Sequence, residues 1–293
     1  MFLKNILLKD YTTYKIGGKA KYFFVARNEQ DLIDAIKKAR QDNLSFFILG
    51  GGSNVLFDDN GFDGLVIKLE LDKYEVKDNK IFTESGILLK RAVDLALGNE
   101  LTGLEWANGI YGTVGGAVRG NAGAFGHFTS EVVDSVKVLD SDTLEIKEIK
   151  DYQFGYRDSY FKQNRNLIIL SVVFKLEKGR KEDIEKEMNR ISNYRKERHP
   201  LDYPSAGSVF KNVANLKIDK FKELGFVPAG YLIEQAGLKG KIIGGAQISE
   251  KHANFIVNIN EAKAKDIRDL IDLVKKTIME KYGVKMEEEI VVL

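Results

Sequence analysis

The sequence has no cysteine and only three histidines, His127, His199 and His252, among its 293 residues. Without cysteine the chain cannot form a disulfide, a thiolate nucleophile or a cysteine-ligated metal site. The three histidines are then the only nitrogen ligands of the kind that zinc and iron prefer. We therefore expect no metal centre.

Neither charge nor hydrophobicity is concentrated along the chain. The 45 basic and 43 acidic residues are mixed, and the formal net charge is +2. Surfaces that follow a phosphate backbone need concentrated Lys and Arg, so nucleic acid is not an expected partner. No window reaches the roughly 18 consecutive apolar residues of a membrane span, and the N-terminus lacks the features of a signal peptide. We expect a cytoplasmic protein without membrane insertion.

Glycine, in contrast, is abundant in two segments. A short apolar strand over residues 46–49 ends in a glycine loop over residues 50–54, and a longer segment over residues 109–126 has glycine at nearly every third position. Glycine lets the backbone approach a ligand closely or adopt positive φ. A strand that ends in such a loop can aim several N–H groups at a phosphate. The first loop is therefore predicted to be a pyrophosphate cradle. For the longer segment, packing of small residues between helices is the alternative to a ligand that lies against it.

The two common nucleotide motifs are missing from these segments. Val55 stands where a G-x-G-x-x-G motif requires its third glycine, and no G-K-[ST] follows. This excludes the Rossmann fingerprint and the P-loop. A dinucleotide held by two separate glycine-rich segments indicates another class of flavin-binding domain.

The hydrophobic periodicity predicts an α+β protein. We predict a β-α-β unit in the first 70 residues, an antiparallel region after it, and a charged helix over 179–198 that contains a domain boundary. The predicted domains are 1–70, 71–190 and 195–293, of which the first two form the flavin-type region. Further predicted elements are helices at 28–43, 86–98, 229–236 and 262–282, and strands at 65–69, 132–139, 145–149, 167–174, 254–258 and 289–293.

Several motifs, in order along nearly the whole chain, resemble those of the UDP-N-acetylenolpyruvoylglucosamine reductase family. They begin at Lys15-Ile-Gly-Gly18 and end at Glu289-Ile290. Between these lie Ile110-Tyr-Gly-Thr-Val-Gly-Gly-Ala117, Gly120-Asn-Ala-Gly-Ala-Phe-Gly126, Gly155-Tyr-Arg-Asp-Ser159, Pro204-Ser-Ala-Gly-Ser-Val-Phe-Lys-Asn212, Leu238-Lys-Gly240, Gly244-Gly-Ala246 and His252-Ala-Asn-Phe-Ile-Val-Asn258.

The resemblance implies a flavin-binding domain of the vanillyl-alcohol oxidase (PCMH) type with a C-terminal substrate domain. It also implies noncovalent FAD, NADPH as hydride donor, and reduction of the enolpyruvyl ether of a UDP-sugar to UDP-N-acetylmuramate. The implied role is peptidoglycan precursor synthesis, and with it cell-wall biogenesis, cell shape and cell division. We expect a monomer. The cofactor residues implied are Gly50, Gly51, Gly52, Ser53, Asn54, Gly109, Thr113, Gly115, Gly116, Asn121, Ala122 and Gly123.

The same resemblance assigns three catalytic residues. Arg157 is the cation for the developing enolate, Ser208 the proton donor to the α-carbon, and Glu289 the acid that acts with Arg157. Each residue has a structural alternative when judged by type and position alone. Arg157 could pair with Asp158, Ser208 could be a turn residue, and Glu289 could be one of three surface glutamates at 287, 288 and 289.

The remaining assignments concern substrate and phosphate contacts. The resemblance places Asn212 and His252 at substrate-binding positions. Among the basic residues Arg195, Lys196 and Arg198, one could contact a ligand phosphate, and a solvated basic helix end is the alternative.

The chain also departs from the family pattern. Tyr111 replaces a usual proline, which removes a φ constraint and adds a phenol near the presumed flavin. No long insertion with an extra tyrosine lies between Phe161 and Ser208, so the chain resembles the shorter class of the family. Two other functions stay open from the sequence: a flavin oxidase on the same flavin domain, and a UDP-sugar-binding module without catalysis.

Overall fold

The helices and strands follow the hydrophobic periodicity of the sequence. The computed structural model describes residues 1–214 and 216–293. Its α-helices are Glu29–Gln41 (α1), Leu89–Gly98 (α2), Val114–Arg119 (α3), Tyr160–Gln163 (α4), Lys181–Arg198 (α5), Ala229–Gln235 (α6) and Ala264–Tyr282 (α7). Short 3₁₀ helices cover Leu8–Tyr11, Glu105–Ala107, Thr129–Glu131 and Asp219–Leu224.

The strands are mostly short and belong to several small sheets. They are Leu3–Leu7 (β1), Lys19–Ala26 (β2), Phe46–Leu49 (β3), Val55–Leu56 (β4), Phe62–Leu69 (β5), Tyr74–Lys77 (β6), Lys80–Glu84 (β7), Leu101–Thr102 (β8), Gly123–Ala124 (β9), His127–Phe128 (β10), Val133–Asp140 (β11), Ile146–Ile149 (β12), Leu167–Lys175 (β13), Glu177–Lys178 (β14), Ile242–Ile243 (β15), Ala246–Ile248 (β16), Ile256–Asn258 (β17) and Val291–Val292 (β18).

The chain divides into two units, each assembled from separate stretches of sequence. Unit 1 contains Met1–Asn5, Lys21–Gly51 and Asp63–Arg195, and unit 2 contains Ile6–Ala20, Gly52–Phe62 and Lys196–Leu293. The first glycine loop is thus divided between Gly51 and Gly52. The predicted domain limits at 1–70, 71–190 and 195–293 stay predictions.

Unit 1 contains two larger sheets. One has the strand order β1-β2-β5-β3, in which β3 and β5 are parallel and α1 connects β2 to β3. The other has the order β12-β11-β13-β7-β6 and is antiparallel, as predicted. Helix α1 buries Leu32 and Ile36 on its apolar side and is capped by the Asn28 side chain, which accepts from the Asp31 N–H at 2.8 Å.

Unit 2 is organised around α7. The helix buries an apolar stripe that includes Ile267, Leu270 and Val274, and it packs against β15 and β16. The Asp59 carboxylate accepts from the first backbone N–H groups of the helix, Ala264 at 2.8 Å and Lys265 at 3.1 Å. A glycine at φ +67°, Gly283, ends the helix, as the sequence predicts.

Several predicted element boundaries were wrong, among them the start of the strand predicted at 65–69, which begins at Phe62. The helix predicted at 86–98 begins at Leu89, and the strand predicted at 254–258 begins at Ile256. The final strand, predicted over 289–293, is only Val291–Val292. The chain changes its pairing partner just before it, because Glu288 bridges to Phe210 whereas Val291 pairs with Val55. Glu289 therefore precedes the strand.

Within residues 1–214 and 216–293, no helix combines the length and apolar character that crossing a bilayer requires.

Candidate active site

The two glycine-rich segments meet backbone to backbone inside unit 1. A Cβ atom added to Gly51 would lie 2.7 Å from the Cα of Gly112, and one added to Gly50 would lie 2.8 Å from Thr113 Oγ1. Real Cβ atoms do not approach other heavy atoms so closely. Glycine at positions 50 and 51 is therefore required for the two segments to pack.

The longer segment turns twice and then starts α3. Gly109 and Gly112 have φ values of +81° and +130°. The side chain of Thr113 caps α3 and accepts from the Gly116 N–H at 3.4 Å, while the Gly115 N–H donates to the Ser85 carbonyl at 3.0 Å. The first N–H groups of this helix are thus already occupied. Beside them, Tyr111 is 70% exposed.

The first glycine loop has unused N–H groups instead. Gly51 and Gly52 donate no backbone hydrogen bond to any other residue that the structure describes. Gly52 has φ +64°, and a Cβ there would lie 2.0 Å from the Tyr11 carbonyl oxygen, so only glycine fits this turn. Its own carbonyl accepts from the Thr13 N–H at 3.0 Å. This arrangement fits the predicted cradle for a phosphate group.

Two buried polar atoms beside the longer segment lack a hydrogen-bond partner among the described residues. They are the hydroxyl of Ser85, which is 2% exposed, and Nη2 of Arg195, which is 9% exposed. Folded proteins leave very few buried polar atoms without a partner. A Cβ on Gly115 would lie 2.7 Å from the Ser85 Cβ, and a Cβ on Gly109 would lie 2.8 Å from the Arg195 Cδ. Both atoms fit a ligand with hydrogen-bond acceptors at this segment.

Arg195 is also distinguished from the other two basic candidates by its burial. Its Nε donates to the Asn108 carbonyl at 2.9 Å, and its guanidinium lies 5.5 Å from the ring centre of Phe125. Burial lowers its pKa from the ordinary value for arginine. Lys196 and Arg198 are exposed. The sequence alone did not show which of the three basic residues is buried, and no pattern in it pointed to Ser85.

Arg157 is positioned by the second half of the glycine-rich segment. Its Nη2 donates to the Gly123 carbonyl at 2.8 Å, and its backbone has φ +55°. Asn121, a buried residue at φ +42°, donates from Nδ2 to the Gly155 carbonyl at 2.9 Å and accepts from the Ser130 N–H at 3.0 Å. Asn121 and Gly123 therefore hold the turn that carries Arg157, whereas Ala122 between them bonds to Ala117 and Thr129.

The neighbouring Asp158 has its own partners. Its carboxylate accepts from the Ser159 N–H at 2.9 Å and from Gln163 Nε2 at 2.8 Å. These bonds give Asp158 a role in starting α4, whose N-cap is Ser159.

Unit 2 brings Ser208 and Glu289 together. Ser208 forms an antiparallel bridge with Phe255, and the next residue, Val209, accepts through its carbonyl from the Glu289 N–H at 2.7 Å. Gly207, at φ +75°, turns the chain into this segment. The half-buried Ser208 hydroxyl makes no hydrogen bond to the residues that the structure describes, so it is available to a ligand.

Asn54 is also bonded to Glu289. Its Nδ2 donates to the Glu289 carbonyl at 3.1 Å, and its own carbonyl accepts from the Val291 N–H at 2.9 Å. Strands β4 and β18 then pair in parallel. Four stretches of chain, around residues 254, 209, 289 and 54, thus form one hydrogen-bonded ribbon in unit 2. Ser53 lies between Gly52 and this ribbon.

The three consecutive glutamates have different surroundings. Glu287 is exposed and pairs with Lys211 at 3.1 Å, and the half-buried Glu288 pairs with Lys275. Glu289 is half-buried as well. Glu287 and Glu288 therefore each have a structural ion pair.

The predicted substrate contacts have structural partners. Asn212 Oδ1 accepts from the Ala229 N–H at 3.1 Å, at the start of α6. His252 Nδ1 accepts from the Asn254 N–H at 3.2 Å, and its ring lies 5.5 Å from that of His199. Burial lowers the pKa of His252. Their contact with substrate stays a prediction.

Comparison with known proteins covers both units. The family model for the C-terminal domain of UDP-N-acetylenolpyruvoylglucosamine reductase matches residues 199–293, and that for an FAD binding domain matches residues 20–147. The reductase of Clostridium novyi is 41% identical over 292 residues, 98% of this chain and 90% of that protein. That of Caldicellulosiruptor saccharolyticus is 43% identical over 293 residues, 99% of this chain and 91% of that protein.

The chain belongs to the UDP-N-acetylenolpyruvoylglucosamine reductase family. A solved structure agrees: the reductase of Thermus caldophilus has a TM-score of 0.82 and 32% identity, over 100% of this chain and 99% of that one. The predicted family, the α+β class with an FAD-binding domain, and the prediction of an FAD-dependent oxidoreductase are confirmed.

Proposed function

We propose that this chain reduces the enolpyruvyl ether of UDP-N-acetylglucosamine enolpyruvate to UDP-N-acetylmuramate, with NADPH as the source of hydride. Membership of the reductase family supports this reaction. The structural observation that supports it is the joining of Ser208 to Glu289 through the Glu289 N–H and the Val209 carbonyl, at 2.7 Å. The backbones of the Ser208 segment and of Glu289 are thereby held next to each other.

The reaction needs a cation and a proton source. Hydride added to the β-carbon of the enolpyruvyl group leaves negative charge on the carboxylate side, as an enolate. Arg157 stabilises that charge by its guanidinium, which can hold a carboxylate with two hydrogen bonds. Ser208 gives its hydroxyl proton to the α-carbon, and Glu289 stabilises the enolate together with Arg157, directly or through water.

The cofactor residues divide by what they offer a ligand. FAD, when bound and reduced by NADPH, supplies the hydride. Gly51 and Gly52 offer unused N–H groups to its pyrophosphate. Ser85 and Arg195 offer unpartnered donors beside the segment from Gly109 to Gly116. We assign these donors to polar atoms at the flavin end of the cofactor.

The proposal also covers the location of the protein in the cell and its assembly. We propose a cytoplasmic monomer, because NADPH and UDP-sugars are cytoplasmic metabolites and the catalytic roles above need only one chain. Sedimentation of the purified protein tests the monomer: a single species near the 33.0 kDa of the chain is expected.

The experiment that tests the reaction begins with the visible spectrum of the purified protein. A yellow protein whose colour is released intact by heat or acid is expected, because the chain has no cysteine for a covalent link to the flavin. NADPH oxidation should then require the enolpyruvyl UDP-sugar. A colourless protein would favour the binding module, and NADPH-independent oxygen consumption with a sugar or alcohol would favour an oxidase.

Stopped-flow traces of Ser208→Ala separate the two half-reactions. Flavin reduction by NADPH should keep the parental rate, since only the second half-reaction needs the α-carbon proton. Oxidation of the reduced flavin by the UDP-sugar should slow by about 10²–10⁴-fold, the usual effect of losing a general acid. A defect confined to reduction by NADPH would instead place Ser208 at the nicotinamide.

A further inference from the structure

The segment that carries Ser208 is held by one buried side chain that none of the roles above includes. Asn254 is 4% exposed, and it clamps the neighbouring residue Phe210 with both ends of its amide. Its Oδ1 accepts from the Phe210 N–H at 3.0 Å, and its Nδ2 donates to the Phe210 carbonyl at 2.8 Å. The Asn254 carbonyl also accepts from the Val209 N–H at 2.8 Å.

Two of these three bonds come from a side chain, and only the third is a backbone bond of the kind found between strands. The segment is bordered on one side by Asn254 and Phe255 and on the other by Glu287 and Glu289, through the Lys211 N–H to Glu287 carbonyl bond at 2.9 Å and the Glu289 N–H to Val209 carbonyl bond. On the first border a buried side chain holds the backbone of the segment, whereas the second border consists of backbone bonds and the Lys211–Glu287 ion pair, in which Glu287 is exposed. The residue that fixes Ser208 relative to its neighbours is therefore Asn254.

We propose that Asn254 is the positioning residue for the proton donor Ser208, and through Val209 for Glu289. The inference rests on the proposed function, in which Ser208 delivers the proton to the α-carbon. A displacement of about 1 Å at a reacting group can cost about 10²-fold in rate. Asn254 touches neither reacting atom, and its effect is transmitted by the backbone of residues 208–210.

The chain contains a matched control four positions further on. Asn258 is 9% exposed and also uses both ends of its amide: Nδ2 donates to the Tyr14 carbonyl at 3.1 Å, and Oδ1 accepts from the Ala262 N–H at 2.9 Å. Neither bond involves residues 207–211. Asn258→Ala therefore removes an equivalent structural clamp without touching the Ser208 segment.

The test compares Asn254→Ala with Asn258→Ala in FAD-loaded enzyme. Both variants should unfold more easily. Only Asn254→Ala should slow the oxidative half-reaction, by about 10- to 100-fold, with reduction by NADPH unchanged. In a Ser208→Ala background, Asn254→Ala should slow that half-reaction no further, because both changes remove the same function. Equal effects of the two alanine variants on both half-reactions, or a full additional loss on Ser208→Ala, would overturn the proposal.

Hydrogen exchange follows the clamp independently of the chemistry. Exchange at the Phe210 N–H should accelerate in Asn254→Ala and stay parental in Asn258→Ala. Should Asn254→Ala fail to fold, Asn254→Asp keeps an acceptor for the Phe210 N–H but, once ionised, has no donor for the Phe210 carbonyl, and the same half-reaction defect is expected. Unchanged Phe210 exchange in a folded variant would refute the clamp. A Ser208→Ala enzyme with parental half-reactions would refute the proposed function and the positioning role together, leaving the clamp a structural feature.

Discussion

The two units hold their functional groups in opposite ways. In unit 1 the glycine-rich segments meet because side chains are missing, and a single Cβ at Gly51 would meet Gly112 at 2.7 Å. In unit 2 the segment of Ser208 is held because a side chain is present, the amide of Asn254. The first arrangement brings two backbone segments into contact, and the second fixes a small reacting group. Mutations in the glycine loop should therefore act on flavin binding, and mutations in the Ser208 segment should act on chemical rate.

The largest expected effect tests the chemical side of this comparison. Glu289→Gln should lower kcat by about 10²–10⁴-fold while substrate still binds, because a group used in the transition state is lost. Glu287→Gln is the matched control, since Glu287 is exposed and only pairs with Lys211. Steady-state kinetics on both variants decide the point. Mild and equal losses would return Glu289 to the structural alternative.

The next effect tests the binding side. Gly51→Val should abolish flavin retention, because the new side chain would collide with Gly112 and block the approach of a pyrophosphate. Gly98→Ala is the control, since a Cβ there meets nothing within 4 Å. The ratio of flavin to protein absorbance measures the outcome. Full occupancy in folded Gly51→Val would show that this loop is only a turn.

A smaller effect is expected at Arg195 in unit 1, whose Nη2 has no hydrogen-bond partner among the residues that the structure describes. Arg195→Met should weaken FAD binding by about 10-fold or more, as the loss of a hydrogen bond from a charged group does. Lys196→Met, next to it and exposed, should bind FAD with parental affinity. Titration of the apoprotein with FAD, followed by flavin fluorescence, gives both affinities. Equal affinities would move the ligand contact away from Arg195.

The smallest effect concerns a clamp in unit 1 that serves the fold alone. The Asp140 carboxylate accepts from Asn166 Nδ2 at 3.0 Å and the Asp142 N–H at 3.0 Å, which lowers its pKa to about 2. Such a group stabilises the fold above its unfolded pKa of about 4, and this stability is lost as the pH falls toward 2. Melting temperatures between pH 7 and 2 report this dependence.

The comparison variant for that clamp is Asp140→Asn. It should lose about 1 kcal/mol at pH 7 and show a shallower fall in melting temperature below pH 4, with parental kcat. Asp142→Asn, whose side chain is 77% exposed, should follow the parental curve. A change in kcat for Asp140→Asn would mean that clamps in unit 1 also serve catalysis.

Sequence patterns predicted the parts of this molecule that are local in the chain. The apolar stripes of α1 and α7 and the glycine loops were visible because their residues are neighbours or recur with a helical period. The ribbon of unit 2 was not, since it joins Asn54, Asn254 and Glu289 by bonds that have no periodicity. Asn254 and Ser85 are common polar residues in unremarkable positions, and their significance lies in their burial and partners. The error at the final strand had the same origin, a change of distant partner near Glu289.

The division of the chain into units also determines when, during synthesis, the residues of each core become available. Tyr14 and Ile16 are fully or almost fully buried in the core of unit 2, among residues that follow position 196. On a ribosome that adds about 5–20 residues per second, these apolar side chains would wait roughly 10–40 s for their partners. Unit 1, in contrast, has its last residue at Arg195. The nascent chain thus carries an exposed hydrophobic segment through most of its synthesis, and that segment is a natural place for a chaperone to hold it.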